Sequence, residues 1–185
     1  SAYIKLISPK QLKILNFWID GHGGVIYIYK NTSQMSDADV IDYMGYLIQS
    51  NPIQLSSEIK EVNYKYDGMT EEQAYSFSEV IEFTEGFTEM KVPADYKEKI
   101  FERGMGISSD NYVARVNADD EGYYEVRFTE YSIQDGKLVA VGNCTHCNSG
   151  GDVMPDKTGI ITATFYANDD SIMGMSLDFI KLSES

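Results

Sequence analysis

The first 105 residues carry apolar side chains three and four positions apart, the spacing typical of one face of a helix. Four segments combine this spacing with a capping residue or a proline at the start: Ser8-Pro9, Ser36 with Asp39, Thr70 with Gln73, and Pro93. Three of them are followed by residues that end helices: Gly21, Asn51-Pro52 and Gly104. The pattern therefore predicts four helices in this part of the chain.

Two segments among these helices have strand character. Val25–Tyr29 is a continuous β-branched and aromatic run, and Val62–Tyr66 alternates apolar and polar positions with the period of two. From about residue 111 the pattern becomes β throughout and predicts five strands: Tyr112–Val116, Tyr123–Ile133, Leu138–Val141, Gly159–Tyr166 and Ile172–Leu182. Asp135-Gly136 is the clearest hairpin turn, because a tight type I′ turn needs positive φ at both central positions.

This order of elements predicts the α+β class. An N-terminal helical half with one or two strands should pack across one face of a C-terminal antiparallel meander of about five strands. The length of 185 residues suits one domain spanning residues 1–185. The alternative is a subdivision near residues 104–110, with a helix-rich part at 1–105 and a β-rich part at 106–185.

Charge narrows the classes of function. The chain has 29 Asp and Glu against 15 Lys and Arg, a net charge of −14. Because binding phosphates needs clustered cations, and the basic residues of 91–103 are interleaved with Glu98 and Glu102, we expect no direct nucleic-acid binding. No apolar run approaches the roughly 20 residues of a membrane-spanning helix, so we expect a soluble chain. Its compartment, cytoplasmic or exported, stays open.

The acidic residues concentrate between positions 70 and 90, a stretch without Lys or Arg. Glu79, Glu82, Glu85 and Glu89 recur at helical spacing, and Glu72 precedes them. One interpretation is a solvated helix face. The other is a non-enzymatic docking surface for a basic protein partner, as in an inhibitor, an immunity protein or a nucleic-acid mimic. Tyr123 and Tyr131, predicted to face outward on one strand, would extend such a surface.

Cys144 and Cys147 flank His146 in a segment predicted to be a loop. Three interpretations stay open: a disulfide in an exported protein, a metal site, or reduced thiols. A second pair of zinc ligands is missing from the motif, so we assign no metal ligands.

Nothing in the sequence nominates catalytic residues or a cofactor, because there are too many carboxylates to choose a pair and no phosphate-binding glycine loop. Two alternatives to the docking module therefore remain. The first is an exported or cell-envelope domain, cross-linked at Cys144 and Cys147, that binds a small ligand or self-assembles. The second is a hydrolase that uses carboxylates the sequence does not single out.

Overall fold

The computed structural model describes residues 35–51, 54–116, 123–148, 150–171 and 174–184. The predicted helix after Ser8-Pro9 and the predicted strand Val25–Tyr29 lie outside these ranges. The described elements, in chain order, are α1 (Asp37–Ser50), β1 (Ser57–Tyr64), β2 (Gly68–Ser76), α2 (Phe77–Thr88), α3 (Tyr96–Glu102), β3 (Gly106–Ile107), β4 (Tyr112–Ala114), β5 (Tyr123–Gln134), β6 (Lys137–Cys147), β7 (Val153–Ala167) and β8 (Met175–Glu184). Among these helices, none is long and apolar enough to cross a membrane.

Helix α1 begins with the capping box that the sequence predicts. The Asp39 amide donates to the Ser36 hydroxyl at 3.2 Å, and the Ser36 amide donates to the Asp39 carboxylate at 2.8 Å. These two bonds satisfy backbone donors that the first turn of a helix leaves free. The helix ends at Asn51, whose left-handed backbone has φ 44°. The predicted stop at Asn51-Pro52 is therefore confirmed at Asn51.

The predicted helix start at Thr70 and Gln73 is wrong. Residues 68–76 form strand β2, which pairs antiparallel with β1 from Tyr64 opposite Gly68 to Ser57 opposite Tyr75. Gly68, at φ +71°, lets the chain reverse tightly, so the cross-strand partner satisfies the backbone that a helix would otherwise satisfy internally. Helix α2 begins only at Phe77.

The first sheet is a small closed barrel with strand order β1-β2-β4-β3. Its interior holds Val62, Tyr64, Ala74 and Ala114. Gly106 has no side chain because a Cβ there would lie 2.7 Å from the Tyr64 ring. The segment Tyr112–Ala114 belongs to this barrel, where it pairs with β2 and β3.

The second sheet is the antiparallel meander β5-β6-β7-β8. The turn at Asp135-Gly136 is confirmed, with φ 51° and 75°, the two positive values that a type I′ hairpin turn needs. One face of the meander shares a continuous buried core with the helices, which includes Leu47 of α1, Phe83 of α2 and Ile180 of β8. Helices on one face of an antiparallel sheet make the fold α+β, as the sequence predicts.

Candidate protein-docking surfaces

The acidic residues of α2 do not form one free surface. Glu79 is half-buried and Glu82 is exposed. Glu85 is half-buried, and its carboxylate accepts a hydrogen bond from the Val92 amide at 3.1 Å. It therefore holds the segment that follows α2, a structural role that the sequence pattern does not reveal.

Glu89 connects the end of α2 to the meander. It occupies a left-handed backbone conformation, with φ 57°, just after the last residue of α2. Its carboxylate accepts hydrogen bonds from the Tyr166 hydroxyl and from the Asn168 amide, the latter at 3.1 Å. Beside them the Ser176 hydroxyl donates to the Gly86 carbonyl at 2.7 Å. Burial, reinforced by the bond to Glu89, raises the pKa of Tyr166 to about 12.

Glu72, the other acidic residue of the predicted surface, lies on β2 directly opposite Lys60. It shares a strand face with the barrel interior and is half-buried. Burial raises the pKa of Tyr64 to about 12, and the Glu72 carboxylate adds to this shift. Of the acidic residues proposed from the sequence, only Glu82 is both exposed and without a hydrogen bond to a described residue, so the α2 surface is a weak candidate.

Tyr131 does not face outward. Phe128 opposes Gly142 and Glu130 opposes Val141, which leaves Thr129 as an extra residue in β5. Such a bulge shifts the alternation of side chains by one position, so Tyr131 shares the face of Phe128 and packs against the core. Burial raises the pKa of its hydroxyl. The Tyr123 backbone pairs with Cys147, and its side chain lies outside the described residues.

The cysteines lie on a strand and not in a loop. Cys144 and Cys147 are buried residues of β6, and both are free thiols. Three residues along a strand span about 10 Å, beyond the roughly 7 Å that a disulfide tolerates between Cα atoms. Of the three interpretations that the sequence leaves open for these cysteines, this structure therefore has the reduced thiols. Burial raises the pKa of Cys144 to about 11, which makes its thiol a poor nucleophile.

His146, between the two cysteines, lies 3.4 Å from the Asp156 carboxylate. Within the described ranges, no group of three or more His, Cys, Asp or Glu side chains is placed to hold a metal ion. The Cys-Thr-His-Cys motif is thus built into the sheet.

Two surface grooves accompany the helices. One, of about 430 Å³, lies between α1 and α3 and includes Lys99 and Arg103, and Arg103 forms an ion pair with Asp42 at 2.5 Å. The other, of about 420 Å³, lies beside Glu85, Glu89 and Lys91. Both are lined by charged residues of both signs, whereas a small-molecule pocket typically has only a few polar groups among apolar and aromatic side chains.

The β1–β2 hairpin presents a surface that the sequence pattern does not predict. Ile59 and Met69 are 63% and 58% exposed, and Glu61 and Glu71 lie between them, directly opposite each other on the paired strands. These four residues, here called the hairpin face, point away from the barrel interior because they alternate with Val62 and its neighbours. One feature of the sequence does indicate this surface. Ile59 is an apolar residue at a position of β1 where the alternating pattern places side chains that face solvent.

Lys60, the basic residue of β1, does not neutralise the carboxylates of the hairpin face. Lys60 points to the opposite face of the hairpin, where its ammonium lies 3.2 Å from Glu58 and 2.6 Å from Asp110. The bonds to Asp110 and Glu58 raise the pKa of Lys60, and Lys60 lowers the pKa of Asp110. Among the described residues, no cation forms an ion pair with Glu61 or Glu71.

No protein-family model, curated protein or solved structure matches the chain. The hairpin face is therefore the feature from which a function is inferred.

Proposed function

We propose that the protein is a non-enzymatic docking module that binds a basic protein partner through the hairpin face. The observation that carries this proposal is the pair Glu61 and Glu71, two opposed carboxylates flanked by the exposed apolar side chains of Ile59 and Met69. An inhibitor, an immunity protein or a nucleic-acid mimic would each use a surface of this kind.

The apolar residues supply the contact area. Exposed single apolar side chains are common, but here Ile59 and Met69 lie on one face and Tyr66, 78% exposed, lies in the turn that joins the two strands. Aromatic residues and methionine are enriched in protein interfaces, and a few buried side chains, tyrosine often among them, contribute most of the affinity. A partner that covers the hairpin would bury all three.

The carboxylates supply the selectivity. Like charges directly opposite each other on paired strands destabilise the pair by roughly 0.2–1 kcal/mol. A Lys or Arg side chain placed between Glu61 and Glu71 would remove this repulsion and form charge-assisted hydrogen bonds with both. A basic partner therefore gains from the hairpin face what an acidic or neutral one would not.

The net charge of −14 supports the same partner class. A strongly negative protein attracts basic proteins over long distances and accelerates their encounter, an effect that salt weakens. The exposed Glu82 contributes to this field without needing to contact the partner.

The experiment is affinity capture from a cell lysate with the immobilised protein, at low and at high salt, followed by quantitative mass spectrometry. Four baits are compared: the wild type and the double variants E61K/E71K, E79K/E82K and E98K/D169K. Each double variant replaces two acidic residues with lysine, so all three have the same change of charge. We expect the wild type to retain a basic protein that high salt releases and that E61K/E71K no longer retains. The purified partner should then bind the wild type in calorimetry.

The two other double variants act as matched controls. Since E79K/E82K changes the α2 residues and E98K/D169K changes exposed acids of α3 and the β7–β8 connection, both should retain the partner. Equal loss in all three double variants would leave only a nonspecific charge effect and contradict the proposal. Loss in E79K/E82K alone would place the surface on α2 instead.

A further inference from the structure

The β5–β8 sheet has a second face, on the side away from the helices. Side chains of paired residues share a face, so Glu130, Val141, Thr162 and Lys181 form one row across all four strands of this face. The core residues Ala140, Ala163 and Ile180 alternate with this row and point to the helices. We call the side that carries the row the outer sheet face.

The outer sheet face carries apolar and β-branched residues among polar ones. Val139 and Phe179 belong to the row on one side of Val141, and Ile160, 49% exposed, belongs to the row on the other side. None of them is part of the two clusters of packed side chains among the described residues. Valine, isoleucine and phenylalanine on the wet side of a sheet are typical of a surface that packs against another sheet.

The charges lie at the two edges of the row. Glu130 is on edge strand β5 and Lys181 is on edge strand β8, and both side chains are exposed. Within the described residues, neither forms an ion pair. The row therefore has a negative charge at the β5 edge of the sheet, a positive charge at the β8 edge, and the uncharged Val141 and Thr162 between them.

The order of charges along this row determines which arrangement of two copies brings opposite charges together. A twofold axis parallel to the strands, between two outer sheet faces, places β5 of one copy over β8 of the other and β6 over β7. Glu130 then meets Lys181 of the second copy twice, and Val141 meets Thr162 twice. An axis perpendicular to the strands would instead place Glu130 over Glu130. We propose that two copies of this chain associate through their outer sheet faces about the axis parallel to the strands.

The arrangement agrees with the physics of sheet packing. Sheets stacked face to face keep their strands within about 30° of each other, as this axis requires. Four strands about 4.8 Å apart and three rows of side chains give a face of roughly 20 Å by 20 Å. This is less than the roughly 800 Å² that each partner buries in a standard interface, so we expect a dimer with a dissociation constant of micromolar order.

The test is sedimentation velocity of the 185-residue chain from about 1 to about 200 µM, a range that brackets micromolar dissociation constants. We expect concentration-dependent dimers of the wild type. E130K and K181E, which place like charges opposite each other, should each weaken association by roughly tenfold or more. The double variant E130K/K181E restores opposite charges across the axis and should return to the wild-type dissociation constant within about threefold.

E98K, the same change of charge on exposed α3, is the matched control and should dimerise like the wild type. Circular dichroism and thermal unfolding verify that each variant folds. If a charge-reversal variant does not fold, the neutral variants E130Q and K181Q replace it. A wild type that stays monomeric over the whole concentration range overturns the proposal, as does a double variant that fails to recover. Because the hairpin face is a separate surface, neither result bears on binding of the basic partner.

Discussion

Glu61 of β1 and Glu71 of β2 oppose each other directly, and both carboxylates are exposed. If this pair serves recognition and not stability, binding and folding should respond to its mutation in opposite directions. Replacing Glu71 with Lys turns the cross-strand repulsion into an attraction. We expect E71K to raise the free energy of unfolding by about 0.5 kcal/mol, measured by urea denaturation, and to weaken binding of the basic partner.

Gln73 supplies the control for this experiment, because it is exposed on the same face of β2 but lies opposite Ile59. Q73K adds a positive charge without relieving any cross-strand repulsion, so its stability should stay within about 0.3 kcal/mol of the wild type. An E71K variant that is less stable than Q73K would show that the two carboxylates are held together by a structural interaction.

Glu82 and Glu89 belong to the same sequence pattern, but we expect them to differ in their contribution to stability. Glu89 accepts hydrogen bonds from Tyr166 and Asn168, which join α2 to the meander, whereas Glu82 is exposed. We expect E89A to lower the free energy of unfolding by about 1 kcal/mol and E82A to change it by less than about 0.5 kcal/mol. Equal effects in thermal or urea unfolding would contradict this division.

The helical spacing of the acidic residues predicted a helix face, and Glu79, Glu82 and Glu85 do lie on α2. What the spacing could not show is which of them have partners. Glu89 meets Tyr166, which is 77 residues further along the chain. Such contacts depend on how the helix lies on the sheet, and no local pattern encodes that geometry.

Local patterns succeeded where local physics decides the structure. The capping box of Ser36 and Asp39 and the turn at Asp135-Gly136 satisfy their own backbone, so the sequence identified both. The same capping pattern at Thr70 and Gln73 failed because residues 68–75 pair with β1 instead. Tertiary pairing overrides a helix-start pattern when a tight turn brings a partner strand within reach.

Cys144 should be hard to alkylate in the folded protein. Burial raises the pKa of its thiol from the ordinary value of 9.0 to about 11, so at pH 8 the thiolate is about a hundredfold scarcer than for an exposed cysteine. We expect slow labelling by iodoacetamide in buffer and rapid labelling in urea, read by peptide mass spectrometry. An intact mass that rises by 2 Da on reduction would instead reveal a disulfide.

The same shift has a consequence for stability at high pH. The folded state holds the Cys144 proton more tightly than the unfolded chain does, because the pKa of the thiol is higher in the folded state. This contribution to stability is complete below pH 9 and is lost as the pH rises toward 11. C144A lacks the titrating group, so the wild type should lose more stability than C144A between these pH values in urea denaturation.

The absence of a side chain at Gly142 leaves room for the backbone of β5 next to its bulge. A substitution at Gly142 therefore tests how closely β5 and β6 pack. A Cβ at Gly142 would lie 1.9 Å from the carbonyl oxygen of Arg127, on the strand that bulges at Thr129. Because backbone and not a flexible side chain occupies that space, G142A should lower the free energy of unfolding by about 3 kcal/mol or more. The bulge turns Tyr131 toward the core, so the near-ultraviolet circular dichroism should change as well.

Gly45 is the matched control for this substitution. It lies within α1, and a Cβ there would meet only the terminal methyl group of Met105, at 3.4 Å. Alanine favours a helix interior over glycine by roughly 0.5–1 kcal/mol, so G45A should leave the free energy of unfolding unchanged or raise it. If G142A were tolerated as well as G45A, β6 would have to lie farther from Arg127, and the inward direction of Tyr131 would lose its cause.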